Sequence, residues 1–212
     1  MKLELRKIKS YVFHVRFETR YELTSTLLRI GEYFEFPESD GKVFTLKEFK
    51  KWYMKSQNKK RFTYYEDWTG YNIPSKELEP FLSGKFDPLS DKEKQFLDLF
   101  RNVKGEFYII GTFSKNKTEQ ETVNHELTHA MFSMNRAYRK VVKEYFKDKD
   151  CEELKAFLVK NGYTQKVLLD EMNAYLVNDL KWLTKKKIKE KQYKQYSKDL
   201  IDLYQKFEAK DS

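Results

Sequence analysis

Apolar and polar residues follow one another along the chain in two rhythms, and the changes of rhythm mark its elements. Tyr11, Phe13, Val15 and Phe17 alternate with Val12, His14 and Arg16 and predict a strand with the first four on its core face. From Leu23 to Ile30 the apolar positions recur at three and four residues, a helix with Thr19 as cap and Gly31 as stop. Pro37, Ser39, Asp40 and Gly41 predict a turn. Thr45 with Glu48 is a capping-box signal opening a helix to Lys55, with Leu46, Phe49, Trp52 and Tyr53 at helical spacing. Arg61 to Tyr65 reads as a second strand. Residues 66–90 gather Pro74, Pro80 and Pro88 around Trp68, Tyr71, Phe81 and Phe86, which predicts an anchored loop broken by a short helix from Ser75. Ser90 with Glu93 starts a helix to about Asn102, and Phe107 to Phe113 is a strand. Glu119 to Val141 contains neither Gly nor Pro and reads as one long helix. Helices follow over Cys151 to Lys160 and from near Thr164. A last amphipathic helix repeats Tyr193, Tyr196, Leu200, Leu203 or Tyr204, and Phe207.

The candidate chemistry sits in the long helix. His125-Glu126-Leu127-Thr128-His129 is an HExxH motif and holds two of the three histidines in the chain. Residues four apart share a helix face, so both imidazoles can address one point. That spacing suits two ligands of a tetrahedral zinc and leaves Glu126 beside it as general base. A catalytic zinc takes three protein ligands, so a third is needed. His14 lies far upstream, in a strand, where an exposed or hydrogen-bonded role is expected. A carboxylate from a later helix suits better.

Leu168-Leu169-Asp170-Glu171-Met172-Asn173-Ala174-Tyr175 resembles the third-ligand helix of gluzincin metallopeptidases. The resemblance spans about residues 105 to 180. It implies His125, His129 and Glu171 as ligands of Zn2+, Glu126 as the base, and Ala174 as the small residue that lets the two helices approach. It also implies an α+β, zincin-like fold, mostly helical, with a small mixed sheet whose edge strand precedes the HExxH helix and pairs with an extended peptide substrate. Metzincins differ, since Phe132 and Asn135 stand where that family needs Gly and His. The chain departs from thermolysin-like members at Tyr175, where they carry an Asp that orients a liganding imidazole. Asp170, Asn173 and Asn178 are the alternatives for that role, and Asp170 is also an alternative ligand. Tyr175 and Tyr163 are candidates to stabilise an oxyanion.

Composition adjusts this picture at the margins. At 212 residues one domain is expected, with an α/β part over 1–104, a zinc-site core over 105–180 and a basic helix over 181–212. Lone Cys151 excludes an intramolecular disulfide framework. The charged N-terminus carries no signal-peptide core and no span is of membrane length, so a cytoplasmic protein is the default and signal-independent secretion stays open. The net charge is +9, concentrated after Lys181. Without an arginine cluster or a known module this is no strong nucleic-acid signal. The expected activity is a zinc endopeptidase of narrow specificity acting on peptide or protein. The alternative is an inactive zincin-fold binding protein whose basic C-terminal helix takes nucleic acid or another acidic partner. The oligomeric state stays open.

Overall fold

The structure is a computed structural model and describes residues 1–35 and 42–210; the turn expected at Pro37 to Gly41 lies outside them. Its elements run β1 (Leu3–Lys9), β2 (Val12–Phe17), α1 (Arg20–Glu35), α2 (Leu46–Ser56), α3 (Tyr64–Asp67), β3 (Tyr71–Pro74), a 3-10 turn (Ser75–Leu78), α4 (Glu79–Leu82), α5 (Asp91–Asp98), β4 (Tyr108–Phe113), α6 (Glu119–Met134), α7 (Arg136–Phe146), α8 (Glu152–Lys160), α9 (Leu168–Asn178), α10 (Leu180–Lys185) and α11 (Glu190–Glu208). This is a mixed α+β protein, mostly helical, with one small sheet. It divides into two compact units, Met1–Thr122 and Val123–Ser212. The boundary falls inside the HExxH helix α6 rather than near residues 104 or 180.

The first unit is built on the sheet, whose order is β1-β2-β4-β3. β1 and β2 form an antiparallel pair, β2 and β4 run parallel, and β3 is antiparallel to β4. The expectation that the strand before the HExxH helix is an edge strand is therefore corrected. β4 lies between β2 and β3, all six of its residues are buried, β2 pairs along its whole length, and β3 pairs with Tyr108 to Gly111. Over those four residues it offers no free edge for a substrate strand. The covering strand, Tyr71–Pro74, is only four residues long and ends in proline, which hid it inside the expected loop.

Several local expectations hold and others do not. Thr45 with Glu48 and Ser90 with Glu93 form complete capping boxes, and Thr19 exchanges the same pair of bonds with Glu22. Glu93 also takes a two-pronged ion pair from Arg29, at 2.7 and 2.6 Å, which ties α5 to α1. Gly31 does not stop α1. It sits within the helix, at a position where a Cβ would stand 3.1 Å from the ring of Tyr71. Residues 61–65 are not a strand. Tyr64 begins a helical turn, packs against Phe49 and Tyr53 at 5.3 Å, and is followed by a Thr63–Asp67 side-chain bond of 2.7 Å across that turn. Packing overrides the β-propensity of these aromatics. Phe81 and Phe86, stacked at 4.1 Å, are buried in the same core.

The second unit is helical. Its core gathers Tyr138, Val142, Leu154, Met172, Tyr193 and Leu200, among others. The basic C-terminal helix is part of this body: Tyr193 and Leu200 are fully buried, while Lys191, Lys194 and Lys198 face solvent. The helix expected to run from Glu119 to Val141 is broken at Asn135. That side chain accepts the backbone N–H of Tyr138 and so caps a new helix, α7. Val141, the end of the expected helix, is 41% exposed, and Val142 takes the buried position.

Candidate metal centre

All of the candidate residues of the zinc site lie in the second unit. The i, i+4 spacing on α6 turns both rings the same way, and Nε2 of His125 and Nε2 of His129 stand 3.1 Å apart. Nε2 of His129 is 3.6 Å from Oε1 of Glu171 on α9. The three side chains offer ligand atoms that all lie within 4.8 Å of one another. Nitrogens bound to one tetrahedral zinc at about 2.0–2.1 Å stand about 3.3 Å apart, so the imidazole pair already has the spacing of two ligands. Oε2 of Glu171 is buried without a hydrogen-bond partner. An orphaned carboxylate oxygen beside two converging ring nitrogens is a donor set that fits a borderline cation.

Electrostatics point the same way. Burial pushes the Glu171 carboxyl up to about 7 against the opposing pull of His129 and His125. Burial acts against a charged His129 ring, yet Asp170, Glu171 and Glu126 together hold it well above its ordinary value. The cluster thus demands positive charge, which a proton or a divalent ion can supply. Glu126 is 8% exposed and acts on both groups through its charge.

The tyrosines form a chain beside the rings. Tyr175 meets His125 edge to face with centroids 4.9 Å apart, and its hydroxyl is 3.0 Å from that of Tyr163. Burial raises the Tyr175 hydroxyl to about 12, so it remains a proton donor. Ala174 is fully buried on α9.

Of the expected orienting residues, Asn173 accepts from Tyr138 at 3.0 Å and Asn178 donates to Thr128 at 2.9 Å, so neither holds an imidazole. Asp170 approaches Nδ1 of His129 at 3.0 Å, with poorer geometry than a straight hydrogen bond. The residue that sequence reasoning missed is Asp179, whose Oδ2 lies 2.6 Å from Nδ1 of His125. A signal for it existed: Glu171, Tyr175 and Asp179 are spaced by four and share a helix face. His14 belongs elsewhere. It is buried in the first unit with Nε2 2.7 Å from Oγ1 of Thr112, which accounts for it as a bonded strand histidine.

No protein-family model, no curated protein and no solved structure matches this chain.

Proposed function

We propose that the chain is a zinc-dependent peptidase, acting on peptide or protein substrates. One observation carries the reading: His125, His129 and Glu171 converge at metal-ligand spacing, with Glu126 adjacent on the same helix. In this proposal His125, His129 and Glu171 hold the ion. Bound zinc supplies a Lewis acid for a carbonyl oxygen and lowers the pKa of water towards about 7. Glu126, buried next to His125, takes a proton from the attacking water and passes it to the leaving amine. Tyr175, kept protonated, is placed to donate to a developing oxyanion, and Tyr163 fixes its hydroxyl. A zincin-like fold and a narrow-specificity endopeptidase are the finer form of the same proposal.

The test is cleavage of a denatured protein mixture, read by labelling the new N-termini, with zinc content measured alongside. Wild type is expected to create new termini. Glu126→Gln should keep its zinc and lose about 100-fold or more in rate, the range for a positioned acid–base group, and His129→Ala should lose both zinc and cleavage. Full activity in Glu126→Gln, or no new termini from zinc-loaded wild type, overturns the proposal.

A further inference from the structure

We propose that Asp179 is the positioning residue of this centre, fixing His125 in the tautomer and ring orientation that present Nε2 to the ion. The inference rests on the zinc reading above and assigns a role to a residue outside the HExxH motif and the third-ligand segment.

A carboxylate only accepts hydrogen bonds, so a 2.6 Å contact from Asp179 Oδ2 requires the hydrogen on Nδ1 of His125. A neutral ring protonated at Nδ1 carries its lone pair on Nε2, the atom that faces His129. The two histidines also differ in what else holds them. The side chain of His129 is 3% exposed and is confined by packing; that of His125 is 16% exposed, with Tyr175 against one side. A less confined ring depends more on a directional bond.

The backbone around Asp179 makes the assignment sharper. Asp179 follows the last residue of α9 and precedes the first of α10. Its N–H donates to Tyr175 O at 2.7 Å and its carbonyl accepts from Leu183 N at 2.9 Å. An aspartate at a helix N-cap ordinarily turns its side chain onto that helix's own N–H groups. Asp179 makes no such bond to α10. Its carboxylate is committed to His125 instead, so a cap is forgone in favour of the imidazole. Asp170 stands in the corresponding place on His129, with the poorer geometry already described, and ranks second.

Zinc affinity measured by chelator competition tests this on the full chain without reference to turnover. Asp179→Ala should bind zinc 10- to 100-fold more weakly, the usual loss for such a partner. Asp179→Asn, similar in size and retaining an acceptor oxygen, should fall between wild type and Ala. Asp170→Asn should lose less than Asp179→Ala. Asp199→Asn, which removes an equal charge from a residue bonded to Tyr145, should bind as wild type does. In zinc-loaded wild type the Nδ1 proton of His125 should be visible by nitrogen-15 NMR as a slowly exchanging ring proton, and it should be lost in Asp179→Ala. Should wild type bind no zinc, the peptidase reading falls and this inference with it. Should wild type bind zinc while Asp179→Ala and Asp179→Asn bind equally tightly, this inference alone is overturned.

Discussion

At the scale of single residues, the buried carboxyls Glu171 and Glu32 differ in kind in their cost to stability. Glu171 has nearby imidazoles and, in the proposed state, an ion. Glu32 has no such cation: burial in the first unit, offset in part by a hydrogen bond from Tyr64, raises it from 4.5 to about 7. Between those values the folded state keeps a proton that the unfolded chain releases, so this group's contribution to stability declines as pH rises from about 4.5 to about 7. The shift corresponds to about 3 kcal/mol at most. Glu32→Gln removes the titration and can keep the bond to Tyr64. Denaturant unfolding should therefore show the variant gaining roughly 2 kcal/mol relative to wild type between pH 5 and pH 8. An unchanged difference across that range contradicts the assignment. The same scale explains what could be read early. The convergence of His125 and His129, with Glu126 between them in sequence, is legible because it follows from spacing on one helix, and that of Glu171 because its surroundings resemble a known segment. Asp179 was missed despite its spacing of four from Tyr175, because it lies where a helix ends, and helix ends are the least certain part of any sequence reading.

At the scale of elements, the break between α6 and α7 is the clearest case of a local signal outweighed by a pattern. Apolar spacing runs on from Val123 past Met134, and nothing in composition forbids one helix. Asn135 decides otherwise, because its side chain satisfies the N–H of Tyr138 and starts a new axis. The two accounts predict opposite signs. If Asn135 is a cap, Asn135→Ala should cost about 1 kcal/mol of stability by equilibrium unfolding. If a single helix passed through it, the same change should stabilise, since alanine is the better helix former. Capping boxes at Thr45 and Ser90 were legible because the signal is short and chemical. β3 was not, because four residues ending in proline carry too little alternation. The buried place of β4 was hidden for a related reason: a strand's neighbours are a tertiary property, and an apolar run fits an edge covered by helices as well as an inner strand. The correction removes Tyr108 to Gly111 of β4 as a docking rail for the proposed peptide substrate.

For the whole molecule, the two units carry different kinds of information. The first is a four-stranded sheet with helices, and its core is dense in aromatic rings. The second contains the proposed ligands, the base, both tyrosines and Asp179, and its helices include the basic α11. The coarse class, α+β and mostly helical, was legible, and no helix among the described residues is long and apolar enough to cross a membrane. The division into units was not legible, because it cuts through α6 where the sequence shows no shift in composition. In the proposed state two imidazoles of α6 and a carboxylate of α9 hold a single ion. Zinc content of the purified protein after dialysis, compared with that of Glu171→Ala, tests this most directly. A single zinc per chain in wild type, lost or bound far more weakly in Glu171→Ala, is the predicted result; zinc absent from wild type, or held as tightly by the variant, contradicts it.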